Sequence, residues 1–201
     1  VRGSPAMSLV NTSLFLFLTT LLLFMAEATA FLDDETDDES EDEVVMKAER
    51  LPWAHDLLAE SRQAACHGQP LVVMFGSSTC PYCSVVRSLY IAPLMKDERY
   101  PGIVSRELEI DSNQLVTDFS GKRVPMSALA AKYGVTLVPQ VVVFGPDGKQ
   151  AGKPVIGISS EDFYGFYLDQ AINAGIDMVQ TASKRSSSGA PSASPGVYVC
   201  D

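Results

Sequence analysis

Cys80 and Cys83 stand in the stretch "SSTCPYCSVV", residues 77–86, with Pro81 and Tyr82 between them. Two thiols at this spacing can cycle as a dithiol–disulfide couple, supply part of a metal site, or brace the fold. Zinc takes four ligands, and the chain has neither a second Cys-x-x-Cys nor a His pair; His55 and His67 both precede the motif. Haem attachment calls for a His directly after the second cysteine, and Ser84 is there instead. Redox exchange is the leading chemistry and a structural disulfide the alternative. The remaining cysteines are Cys66, at the end of a helix, and Cys200, near the carboxy-terminus. Cys66 reads as a small core or surface residue, with a Cys66–Cys200 bridge as the second reading in an oxidising compartment.

The elements around the pair give it a direction. "LVVMFGS" before it is a continuous apolar strand of the kind buried on both faces. After it, Pro81 to about Met95 reads as a helix, with Pro81 in the first turn, where its missing N–H costs nothing. Pro93 should kink or end that helix. Cys80 then sits at a helix amino-terminus, where unpaired N–H groups and the helix dipole favour negative charge. Its thiolate should form at lower pH than that of a free cysteine, and the thiolate is the nucleophile in disulfide exchange. Cys83, one turn on, is placed to attack a mixed disulfide formed at Cys80.

Other segments supply the frame. Residues 51–70 read as a helix with Trp53, Leu57, Leu58, Ala64 and Ala65 on one face, stopped by Gly68 and Pro70. "GIVSRELEID" is a second strand. A short helix runs from about Met126 to Tyr133, with Gly134 as its stop. "QVVVF" is a strand, "GPDG" a tight turn and "KPVIGI" the returning strand. The last helix begins at "SSEDFYGFYLDQAINAG", where Ser159 and Asp162 have capping-box spacing. Phe163, Phe166, Tyr167 and Ala171 are expected to line its sheet-facing side. Alternating strands and helices imply a mostly parallel sheet covered on both faces, with an antiparallel hairpin at its edge.

Composition sets the limits. The chain has 201 residues, 46% hydrophobic, and a net charge of −10. The run "DDETDDESEDE", residues 33–43, carries nine acids; taking those from the total of 25 leaves 16 against 15 Lys and Arg, so the rest is nearly neutral. No basic stripe exists, which argues against nucleic-acid binding. The acidic run reads as a solvated spacer, or less favourably as a docking tail for a basic partner. From Leu14 to Met25 an apolar run too short for the about 20 residues of a membrane span is followed by "AEATA". That is the pattern of an export signal cut between Ala30 and Phe31; the alternative is an uncleaved anchor. The organisation expected is a signal peptide over 1–30, an acidic spacer over 31–49, one domain over 50–176 and a disordered Ser/Ala/Pro-rich tail over 177–201.

"CPYC" after "LVVMF", together with "VPQVVVFGPDGKQ" further on, resembles the thioredoxin-fold thiol–disulfide oxidoreductases. "CPYC" is shared with glutaredoxins, but no glutathione-binding set is recognisable. The export segment and "GISSEDFYGFYLDQAI" are more similar to exported bacterial thioredoxin-like proteins, among them the periplasmic thioredoxins of sulfur-oxidation systems. The resemblance implies an α/β thioredoxin fold: a central mixed sheet of about four to five strands flanked by helices on both faces. It implies catalytic Cys80 and Cys83 and a substrate groove formed by Pro81, Tyr82, Val138 and Pro139, with Pro139 in the cis form facing the cysteines. It implies protein thiols and disulfides as substrates, a redox partner that resets the dithiol, no cofactor and no metal. Membrane contact would run only through the export segment. The expected location is the bacterial periplasm, with a membrane-anchored periplasmic form or a eukaryotic secretory lumen as alternatives. A thioredoxin-fold binding module with an inert disulfide is the alternative function. Thioredoxins carry a buried aspartate six residues before the first cysteine as a proton relay. Here Met74 holds that position, so proton transfer at Cys83 must use water or another group.

Overall fold

The computed structural model describes residues 50–158 and 161–187. The export segment, the acidic run, the Ser159 cap and Cys200 lie outside them.

Four strands form the central sheet: β1 (Leu71–Gly76), β2 (Val104–Glu109), β5 (Gln140–Phe144) and β6 (Gln150–Ile156), in the order β2-β1-β5-β6. β3 (Leu115–Thr117) and β4 (Arg123–Pro125) make a separate antiparallel hairpin. It was not foreseen, because three-residue strands of mixed polarity carry no periodic signal. β1 and β5 are buried throughout, as their unbroken apolar runs require.

The sheet is mixed, but it is not mostly parallel. Only β1 and β2 run parallel; β5 is antiparallel to both β1 and β6. β2 leaves the sheet beside Gly76, and β5 enters opposite Phe75, at that same end. The β3–β4 hairpin and the short helix α4 (Met126–Lys132) form an excursion that returns to its starting edge, so β5 must run back.

Helices cover both faces. One core joins Met74 and Val72 of β1 to Cys83, Val86 and Ile91 of the cysteine helix, and to Leu168 and Ile172 of the last helix, α5 (Glu161–Ser187). The other joins Val73 and Phe75 to Leu57 and Ala64 of α1 (Leu57–Cys66) and to Met126 and Leu129 of α4. Burying one such aliphatic side chain contributes about 1.5–3 kcal/mol, so β1, shared by both cores, is a rigid base for whatever follows it.

Three helix expectations are corrected. α1 starts at Leu57 and not at residue 51, because Asp56 caps it: its side chain accepts the Ala59 N–H at 2.9 Å. Trp53 lies upstream, where residues 52–54 bridge to Glu107 at the edge of β2. In α5 the buried face is Tyr164, Leu168, Ala171, Ile172 and Val179, while Phe163, Phe166 and Tyr167 are exposed. Small residues decide this rotation. A Cβ built at Gly175 meets Pro70 and Val143, and one built at Gly152 of β6 lies 3.4–4.0 Å from Ala174 and Ala171, so α5 comes too close to the sheet there for rings, and the one ring on the buried face, Tyr164, packs three turns earlier beside Tyr90. Finally, α5 runs to Ser187, past residue 176, where the domain was expected to end.

Candidate active site around the Cys80–Cys83 disulfide

β1 ends at Gly76 and a short loop carries the chain to the cysteines. Ser77 anchors that loop: its Oγ donates to Asp111 Oδ2 at 3.0 Å, and its carbonyl accepts the Cys80 N–H at 3.2 Å. α2 (Pro81–Val86) follows, then a π-helical turn (Arg87–Ile91) and α3 (Ala92–Leu94). The helix therefore continues through Pro93. In the π turn Ala92 N–H bonds Arg87 O, five residues back. This wider turn lies just before Pro93, whose ring and missing N–H disrupt normal i→i−4 bonding.

Cys80 is the N-cap of α2 and Pro81 its first residue. Cys80 and Cys83 are joined in a disulfide with Cα atoms 5.3 Å apart. The two sulfurs have different surroundings. Cys80 is half-buried, and its Sγ accepts the Cys83 N–H at 3.2 Å. Cys83 is fully buried, at 0% exposure, in the core behind the helix. Pro81 is exposed, and Tyr82 is 61% exposed. The same amide that begins the helix thus points at the Cys80 sulfur, the arrangement that stabilises negative charge there.

The loop before β5 faces this pair. Val138 O lies 3.9 Å from Cys80 Sγ, the Val138–Pro139 peptide bond is cis, and Pro139 O accepts the Gly157 N–H at 2.8 Å. Val138 is half-buried and Pro139 buried, while Leu137 beside them is exposed. The structure brings Cys80, Cys83, Val138 and Pro139 together, with Pro81 and Tyr82 on the exposed rim. Cys66 is disulfide-bonded and not a free thiol, which corrects its reading as an unpaired core or surface residue.

Sequence reasoning passed over one charged pair. Glu107 of β2 is buried and takes two hydrogen bonds from Arg87 of the π turn, Nε–H to Oε2 at 2.8 Å and Nη2–H to Oε1 at 2.5 Å. The Glu107 bond holds the Arg87 guanidinium above its usual range, against the opposing effect of burial. The available signal was positional: Arg87 is one helical turn after Cys83, and Glu107 alternates into the sheet face of Met74, its β1 partner. Among the described residues no group of three or more His, Cys, Asp or Glu side chains is gathered as a metal site. No described helix is long and apolar enough to cross a membrane.

A mixed four-stranded sheet with helices on both faces, and a Cys-x-x-Cys disulfide where a buried strand turns into a helix, define a thioredoxin-like domain. The sequence model of the thioredoxin-like domain family matches residues 59–171, and the chain belongs to that family. No curated protein matches it by sequence. Among solved structures, oxidised mitochondrial thioredoxin 3 from Saccharomyces cerevisiae is similar at 20% identity, over 59% of this chain and 94% of that one, with a TM-score of 0.40. The reduced periplasmic thioredoxin SoxS from Paracoccus pantotrophus is similar at 17% identity, over 52% and 97%, with a TM-score of 0.38. A DsbH oxidoreductase is similar at 18% identity, over 64% and 88%, with a TM-score of 0.42.

Proposed function

We propose that the chain is an exported protein thiol–disulfide oxidoreductase working through Cys80 and Cys83. The observation that carries this reading is the asymmetry of the disulfide. Cys80 is half-buried with its Sγ facing a helix-initiating amide, while Cys83 is fully buried one turn behind it. As reductant, the Cys80 thiolate attacks one sulfur of a substrate disulfide, and the other leaves as a thiolate. The Cys83 thiol loses its proton and attacks Cys80 Sγ. The substrate's second sulfur leaves, and the Cys80–Cys83 bond forms. Two electrons pass to the substrate, and a dithiol partner returns the pair to its reduced form. The oxidising direction is the reverse of each step.

The exposed rim of Pro81 and Tyr82 and the Val138–Pro139 loop form the groove for an extended substrate segment, with the Val138 backbone available to pair with it. In this reading residues 50–176 are the catalytic domain, with α5 carrying it on to Ser187. Residues 1–30 direct export, to the bacterial periplasm in the favoured case, and 31–49 are an acidic spacer. The deciding experiment is insulin reduction with thiol titration on the wild type and Cys80→Ser. The wild type should turn over and the variant should be silent. A wild type that exchanges no disulfides would leave a binding module with an inert bridge.

A further inference from the structure

Glu107 and Met74 are register partners in the parallel β1–β2 pair, so both side chains project on the sheet face that carries Cys83. Glu107 is 4% exposed, and Arg87, its partner, comes from the helix that holds both cysteines. Gly76 lies between this ion pair and the disulfide. A Cβ built on it lies 3.1 Å from Glu107 Oε1, 3.7 Å from Cys83 Cβ and 3.6 Å from Met74 Cε. The carboxylate oxygen and Cys83 Cβ are therefore no farther apart than the first two of those distances laid end to end. Gly76 leaves the space between them free of its own side chain, and the β1 side chain at that spot is the uncharged Met74.

We propose that the Glu107–Arg87 pair sets the reduction potential of the Cys80–Cys83 couple by acting on Cys83 through the gap at Gly76. Glu107 is a positioning residue here: it holds Arg87 and places negative charge behind the enclosed cysteine. A unit charge at this range in a partly buried site changes thiol ionisation by more than tenfold. With both members present the charges largely cancel. Removing Glu107 alone leaves a positive charge, which favours the thiolate and hence the reduced form. The other charged groups nearby are Glu109, farther along β2, which also acts on Arg87, and Asp111, bonded to Ser77. From the remaining elements against this core come Tyr90 of the π turn and Tyr164 of α5, both uncharged at neutral pH.

The inference rests on the oxidoreductase reading, and its test separates the two. The protein is equilibrated with glutathione at about pH 9.5, where an ordinary cysteine thiol ionises, so that two glutathione thiols give two electrons to the Cys80–Cys83 disulfide and become glutathione disulfide. The reduced fraction is read by alkylation and mass. Glu107→Gln should favour the reduced form tenfold or more, about 30 mV toward the oxidising side. Arg87→Gln/Glu107→Gln, with both charges gone, should return to within about threefold of wild type. Gly76→Ala keeps both charges, and its methyl asks the carboxylate to give by only a few tenths of an ångström, so it should stay within about threefold of wild type. A shift smaller than about threefold in Glu107→Gln, a shift of opposite sign, or a double variant that stays with the single overturns the proposal. If Glu107→Gln does not fold, Arg87→Gln decides by the same threshold with the opposite sign, because it leaves the Glu107 carboxylate unopposed behind Cys83. A wild type that never equilibrates with glutathione defeats the oxidoreductase reading; one that does, with unmoved variants, defeats only this inference.

Discussion

Gly165 and Gly175 lie in the same helix, and alanine should act oppositely at the two. At Gly165 an added Cβ meets nothing within 4 Å, while at Gly175 it would stand 2.6 and 2.8 Å from Pro70 atoms and 2.8 Å from Val143 Cγ1. Alanine in a helix interior gains about 1 kcal/mol over glycine at either site. At Gly175 that gain meets an overpacking cost of roughly 1–3 kcal/mol. The cost is hard to relieve: a proline ring and a β-branched valine yield little, so α5 must lift from β5. The propensity term cancels in the difference, which leaves Gly165→Ala more stable than Gly175→Ala by roughly 1–3 kcal/mol. At about 2–4 °C per kcal/mol for a domain of this size, the two variants should melt about 2–12 °C apart. Circular-dichroism melts of both, kept oxidised, measure this directly. A gap under about 1 °C, or Gly175→Ala melting higher, would refute the close approach of α5 and with it the reason given for its aromatic side facing outward.

Three more outcomes are expected. Cys83→Ser should accumulate a mixed disulfide between Cys80 and substrate, visible on non-reducing gels and released by a small thiol; its absence with substrates that the wild type reduces would remove the resolving role of Cys83. Burial pushes the Asp118 carboxyl up, but bonds from Ser120, Lys122 and Lys132 outweigh it and hold it well below its ordinary 3.8. The stability this lends is complete above that value and declines as pH falls from there toward the depressed folded value; Asp118→Asn should cost about 1–3 kcal/mol at pH 7 and measurably less, though not nothing, at pH about 2, by urea melts at both. Tyr164 Oη is buried with no partner among the described residues, and burial, then Tyr90, raises its pKa above the ordinary 10. Tyr164→Phe should gain about 1 kcal/mol at neutral pH and a larger margin above pH 10, where wild type loses stability as the unfolded tyrosine ionises; a destabilised variant would mean the hydroxyl is satisfied.

Much of the fold was legible because its central elements are strongly marked. β1 and β5 are unbroken apolar runs, α4 stops at Gly134, and Pro81 marks the start of α2; each appears where the residues placed it. The larger errors are of long range. The rotation of α5 and the direction of β5 depend on partners distant in the chain: on Pro70 and Val143 beneath Gly175, and on the end of the sheet to which the chain returns; the start of α1 is set by its Asp56 cap, which apolar spacing does not register. Local periodicity has no access to these.

The same division runs through the site. Sequence alone determined that two cysteines open a helix after a buried strand, because spacing and a proline are local properties. It also determined that β1 brings no carboxylate to them, because Met74 can be read directly. Only the tertiary structure decided that Cys80 is half-buried while Cys83 is fully buried, that the Val138 carbonyl lies against the first sulfur, and that a buried Glu107 stands across Gly76 from Cys83 Cβ. Those facts depend on the pairing register of β1 with β2 and on the close packing of the cysteine helix against that face, which bring residues distant in sequence within reach of one another's charge.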